Sequence, residues 1–166
     1  MSFDIFPILT QEYKDYLRND SVCTKCERHF DSLNNLRHHK PVHLKPSVEC
    51  YGFTPSFTTY STMIIHLESR RYTSGIDILY LDKSAAIFYQ WQKFLHEGYY
   101  DDILSYYDLE EEYDSAAYPF RCPECDTMFS KLSGLFQHVG SGSCEQRLNC
   151  GPIAKLVEWL SNRHAY

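Results

Sequence analysis

Apolar residues recur at helical spacing in four stretches of the chain. Thr10 can cap a helix over 11–17 that sets Tyr13, Tyr16 and Leu17 on one face. Ser84 can cap a stronger one over 85–96, where Ile87, Trp91, Phe94 and Leu95 fall at i, i+4, i+7 and i+8 and Gly98 stops the pattern. A third helix is predicted over 101–112, burying Ile103, Leu104, Tyr107 and Leu109. A fourth follows Pro152, with Ile153, Leu156, Val157 and Leu160 along one side. Stripes of this kind are more often core than docking face, so the helices are expected to pack on one another. Between them lie three segments in which Cys, aromatic, aliphatic and His positions return at the same offsets, an internal repeat. The pattern divides the chain into an N-terminal helix (1–20), a first repeat (21–46), a second (47–73), a helical spacer (74–119), a third repeat (120–148) and a C-terminal helix (149–166).

The first repeat reads CTKCERHFDSLNNLRHHKPVH. Two residues separate Cys23 from Cys26, the spacing of a tight turn that presents two thiolates to one tetrahedral ion. Twelve residues lead from Cys26 to His39, and His43 follows at i+4, on the same helix face. His38 could compete with His39 but falls one position short. Phe30 and Leu36 occupy two apolar positions between the ligand pairs. At all four ligands and both apolar positions the segment resembles the C2H2 zinc-finger family, and the resemblance implies a small ββα unit closed on zinc. Pro41, between the two histidines, departs from a regular helix and is expected to tighten or break its last turn.

In the third repeat, Cys122, Cys125, Phe129, Leu135 and His138 return at the same offsets, but no second histidine follows. Cys144 comes after Val-Gly-Ser-Gly-Ser, a run suited to leaving the helix and curling back if Gly140 and Gly142 take positive φ. A Cys2HisCys site is the reading adopted; Cys150 is the rival fourth ligand and needs a longer loop closure. In the second repeat Cys50, Phe57, Met63 and His66 match, while Phe53 stands at the second cysteine position and Tyr72 at the position of Cys144. Two ligands do not make a structural zinc site, so this copy is expected to be zinc-free, held by packing, with Phe53 in place of the metal. The run His66-Leu67-Glu68-Ser69 and the run Lys131 to Val139 followed by Cys144 resemble a fungal family of multi-finger proteins with a C-terminal Cys2HisCys finger. That resemblance implies zinc binding and supplies no substrate.

The fold class expected is therefore α+β and helix-rich, with ββα fingers embedded in one compact body with helical spacers and two zinc ions per chain. Apolar residues make up 43% and charged residues 23% of 166, a globular balance, and aromatic residues reach 16% with 14 Tyr. The net charge of -6 is unlike that of a domain devoted to DNA, whose affinity comes largely from phosphate neutralisation. Seven cysteines, with no basic and apolar leader at the N-terminus, suggest an intracellular, reducing compartment. The nucleus is slightly favoured over the cytoplasm from the finger class alone. No stretch is apolar enough for a membrane span. The acidic run Glu110-Glu111-Glu112, with Asp108 and Asp114, reads as a solvated helix end, or alternatively as a surface attracting a basic partner.

Base-reading positions of a finger helix are −1, 3 and 6. In the first repeat these are Ser32, Asn35 and His38, with Asn34 beside them and Arg37, Lys40 and Lys45 available to phosphate. The third repeat offers Lys131, Gly134 and Gln137, and the second Thr59, Thr62 and Ile65, thin sets for base contact. One reader gives a small interface. A protein partner is thus expected ahead of nucleic acid, and DNA binding through the first finger helix is the alternative. Four protein ligands at each zinc leave no position for a reacting water, and no phosphate loop or nucleophile motif is present, so neither catalysis nor a small-molecule substrate is expected. Cys50 and Cys150 are the thiols left without a metal role.

Overall fold

The computed structural model describes residues 21–51, 54–69, 76–114 and 116–164. The predicted N-terminal helix, Phe53 and Tyr72 lie outside the described residues. The fold is α+β and helix-rich, with short antiparallel hairpins.

All three repeats fold alike where they are described. The first has an isolated antiparallel bridge, Val22 to His29, then α1 (Leu33–His39) and a 3-10 turn, Lys40–His43. The second pairs β1 (Val48–Glu49) with β2 (Ser56–Phe57), Val48 opposite Phe57, and continues into α2 (Tyr60–Glu68). The spacer carries α3 (Ile78–Ala86), α4 (Tyr100–Leu104) and α5 (Leu109–Glu112). The third repeat pairs β3 (Phe120–Arg121) with β4 (Met128–Phe129), Phe120 opposite Phe129, and runs into α6 (Leu132–Gly140); α7 (Gly151–His164) closes the described chain. The repeats share one hairpin hydrogen bond: Cys23 N–H donates to Arg28 O at 2.9 Å, Cys50 N–H to Pro55 O at 3.0 Å and Cys122 N–H to Thr127 O at 2.9 Å. They share one ring contact too, Phe30 on His39 at 4.6 Å, Phe57 on His66 at 4.8 Å and Phe129 on His138 at 5.2 Å. The second repeat thus keeps the finger backbone without the full ligand set.

The described residues fall into two compact units, 21–44 and 45–164. This corrects the expectation of one compact body holding both zinc fingers. The reason lies in what each part can bury. In 21–44 the buried apolar set is Val22, Cys23 and Leu36, and Leu33, Val42 and Leu44 stay exposed. The extended core instead draws on residues from both later fingers, the spacer and α7, with Phe88, Phe94, Phe120 and Phe136 fully buried. Each such ring contributes about 2–3 kcal/mol of burial.

Within the second unit, α2 packs on α6. Tyr60 meets Phe136 edge-on at 4.7 Å, and the Tyr60 hydroxyl pairs with that of Tyr51 at 2.6 Å. The start of α6 carries no cap of its own: Ser32 caps α1 and Thr59 caps α2, whereas Lys131 occupies that position before α6. The buried Glu68 carboxylate at the end of α2 supplies the acceptor, taking the Ser133 N–H at 2.9 Å.

The spacer differs from its predicted helices. Asp77, not Ser84, is the N-cap, accepting the Tyr80 N–H at 2.9 Å, and α3 ends where the predicted helix was to begin. Residues 94–96 are instead drawn out beside β3: Arg121 N–H donates to Phe94 O at 2.8 Å, His96 N–H to Pro119 O at 2.8 Å, and Leu95 bridges Phe120. This long-range pairing outweighs the helical periodicity. The predicted 101–112 helix breaks at Tyr106, where φ is +60°, because Asp108 caps a new helix through the Glu110 N–H at 3.1 Å. Ile103 and Leu109 are buried as expected, but Tyr107 is exposed.

Ser84 has a different use. Its hydroxyl, buried in α3, donates to Tyr80 O at 2.8 Å and receives the Arg163 Nε–H at 3.1 Å, and His164 Nε2 lies 3.0 Å away. The Trp159 indole N–H donates to Ser84 O at 2.8 Å, which fixes α7 against α3. Ile153, Leu156 and Leu160 of α7 are fully buried and Val157 partly so, as its periodicity predicts. Burial, with Arg163 beside it, lowers His164 from 6.5 to about 4. Between those values the unfolded chain binds the extra proton, so the contribution is complete above pH 6.5 and is lost as pH falls towards 4. Unfolding titrations of wild type and His164→Gln should show the wild type losing roughly 2–3 kcal/mol more across that window. Glu68→Ala should lower unfolding free energy by about 1–2 kcal/mol, read in the same assay.

Candidate metal centres

Each finger presents its ligands through its fold. In the first, the hairpin turn closes with Glu27 N–H donating to Cys23 O at 2.7 Å, and Glu27 itself adopts φ +57°. The third repeats this, with Asp126 N–H to Cys122 O at 3.1 Å and Asp126 at φ +53°. Pro41 lacks the N–H that would bond to Arg37 O, so α1 stops at His39 and a 3-10 turn delivers His43.

The ligand atoms of Cys23, Cys26, His39 and His43 all lie within 4.8 Å of one another. Cys23 Sγ is 3.2 Å from His43 Nε2, Cys26 Sγ is 3.2 Å from His39 Nε2, and the two Nε2 atoms face each other at 3.0 Å. Bonds of zinc to S and N set tetrahedral ligands about 3.3–3.8 Å apart, so this spacing fits one small ion. Ionisation of the Cys23 sulfur is prepared locally. Burial opposes it at Cys23, but the Lys25 and Cys26 backbone N–H groups reverse that and lower the thiol. Burial and the neighbouring His43 lower His39, favouring the neutral imidazole a metal requires.

In the third repeat, Cys122, His138 and Cys144 gather within 4.8 Å, with Cys122 Sγ 3.8 Å from Cys144 Sγ. Cys125 Sγ stands 3.2 Å from His138 Nε2 and 3.1 Å from Thr127 Oγ1; the Thr127 hydroxyl lowers its thiol. Burial pushes Cys122 up to about 11, so a bound cation is what would hold it as thiolate. The chain reaches Cys144 by a turn in which Gly142 takes φ +71°, while Gly140, also expected at positive φ, stays the last residue of α6. Cys150 is exposed and lies outside this group.

Together the finger and the two clusters fit two zinc ions. In the second repeat His66 is packed on Phe57, and burial raises the Cys50 thiol, which leaves it poorly reactive. Residues 120–141 match the family model "Zinc finger, C2H2 type". The match covers β3, β4 and α6 and ends before Cys144. No curated protein and no solved structure matches the chain.

Of the candidate base-reading residues, Asn34, Asn35, Arg37 and His38 are exposed on α1, and Lys40 is exposed at its C-terminal end. Ser32 is committed to its own helix, accepting the Asn35 N–H at 3.1 Å. Glu68 has no direct signal as a helix cap in the sequence. Its signal was indirect: Lys131 occupies the position where the other repeats carry a Ser or Thr cap.

Metal analysis of Cys144→Ser should return one zinc equivalent fewer than wild type, whereas Cys150→Ser should keep the full complement. Equal loss in both variants would reject Cys144 as the fourth ligand.

Proposed function

We propose that the chain is a non-catalytic, zinc-stabilised recognition module whose target is a protein rather than nucleic acid. One zinc is held by Cys23, Cys26, His39 and His43, the other by Cys122, Cys125, His138 and Cys144, while the second repeat is held by packing alone. Four protein donors at each ion leave no open position for substrate or water. The C2H2 finger family that matches residues 120–141 is typically a binding domain without enzymatic activity.

The observation that supports a protein target is the packing of α2 on α6. Tyr60, Ile64, Leu67 and Glu68 of one helix and Leu132, Ser133, Phe136 and Val139 of the other are buried. Tandem fingers read DNA by each laying a helix into the major groove, one after another along it. Two finger helices packed on each other cannot do so together. A single remaining finger offers only a small interface.

The second reading keeps nucleic acid for α1, whose Asn34, Asn35, Arg37 and His38 form an exposed polar face with Lys40 just beyond its end. A reducing compartment suits zinc-bound thiolates, and the nucleus suits either reading; among the described residues no helix is long and apolar enough to cross a membrane. Binding of the zinc-loaded chain to mixed DNA and RNA across a salt series separates the two. The protein reading expects weak binding that Arg37→Ala with Lys40→Ala hardly alters. Tight, steeply salt-dependent binding abolished by that double variant would establish the nucleic-acid reading instead.

A further inference from the structure

The negative charge of the chain is concentrated in one place. Residues 101–114 hold seven carboxylates and no Lys or Arg, more negative charge than the net -6 of the whole chain. They form the α4–α5 hairpin, which also presents Tyr106, Tyr107 and Tyr113 at 44%, 55% and 39% exposure. Large rings left in water among carboxylates are costly to leave bare and suited to one kind of ligand, a cation with a flat or apolar body.

Two independent observations point to that ligand. Lys83, from α3, already places its ammonium 3.7 Å over the Tyr106 ring, so a ring of this hairpin accepts a cation on its face. On α3, which packs against α4, Asp82 is about nine-tenths buried and its Oδ1 has no hydrogen-bond partner. Burial first, then Glu68, Asp108 and Asp77, hold its carboxyl well above the usual carboxylate range, and the nearby Lys131 does not offset them. Lys131 is itself engaged by Glu110 at 3.4 Å. Lys83 and Lys131 are outnumbered by the carboxylates around them, and the field on this side stays negative.

We propose that the α4–α5 hairpin is the docking surface for an arginine-rich segment of the partner protein, its guanidinium groups stacking on Tyr107 and Tyr113 and pairing with the surrounding carboxylates. The proposal rests on the protein-recognition reading above and names its surface and the chemistry of its partner. Arginine is favoured over lysine because a planar guanidinium both stacks on a ring and forks onto a carboxylate.

Fluorescence anisotropy of a short labelled Arg-rich peptide, titrated with the zinc-loaded full chain, tests this. The peptide should bind more tightly at low than at physiological salt, and its Gln-substituted counterpart should not bind. Tyr107→Ser, which changes no charge, should weaken binding about threefold or more. Glu111→Gln with Glu112→Gln should weaken it about tenfold. Both variants alter exposed side chains, and unchanged zinc content and melting would confirm that they fold. Arg37→Ala with Lys40→Ala should bind as wild type. Absence of binding by the wild type would overturn the proposal, and so would wild-type affinity in Tyr107→Ser, since only diffuse charge attraction would then remain. Either result leaves the protein-recognition reading standing. That reading falls separately, if the salt series shows specific nucleic-acid binding through α1.

Discussion

A ββα segment of some twenty residues cannot bury enough apolar surface to hold itself together, so each must be closed by a metal or by a neighbour. The chain solves this constraint three ways from one template. The first repeat depends on metal, since Val22, Cys23 and Leu36 are its buried apolar residues. The second keeps the hairpin bond from Cys50 N–H to Pro55 O and the Phe57–His66 contact, yet rests Met63, Ile64 and Leu67 in a shared core. The third uses both, with Cys122, His138 and Cys144 gathered in a metal cluster and Leu132, Leu135 and Phe136 buried in the core.

What could be read from the sequence follows the range of each interaction. Ligand spacing is local, and the gathering of Cys23, Cys26, His39 and His43 agrees with it, as does the 3-10 turn that Pro41 imposes. The stripe of α7 was legible because Ile153, Leu156 and Leu160 all meet the same core. The spacer was not. Ile87, Trp91, Phe94 and Leu95 have helical spacing, but the backbone of 94–96 finds partners in Pro119, Phe120 and Arg121, and no local pattern announces a pairing across that separation. Tyr107 was misplaced for a related reason: a helix continued through 105–108 would turn it inward, and the Asp108 cap starts a new helix instead.

Closing a finger on a neighbour restricts what it can touch. The α2 and α6 residues buried in their mutual contact belong to the helices that a groove-binding finger would insert, so packing and groove insertion compete for the same two helices. In α1, where only Leu36 is buried, the competition does not arise and the polar face stays free. The charge distribution runs the same way. Carboxylates crowd the spacer hairpin, within the unit whose finger helices are occupied by each other, where they cost no affinity for phosphate and leave the aromatic residues beside them available to cations.

The cap of α6 shows how deeply the second and third repeats have come to depend on each other. A finger that stands alone must terminate its helix from its own chain, as Ser32 does for α1. In the third repeat that position is Lys131, whose ammonium would repel the positive end of the helix were it not drawn off by Glu110 at 3.4 Å. The missing acceptor comes from Glu68, at the far end of the preceding finger helix, and it is a charged group placed where the dipole favours one. Burial raises the Glu68 carboxyl, while its bonds to Ser133 and the nearby Lys131 pull it back, so the contact is held by a balance that either partner can upset. His138 sits on α6, little more than a turn beyond Ser133. The helix that carries a ligand of the last metal cluster is therefore anchored at its start by a residue of the repeat that lacks a full ligand set of its own.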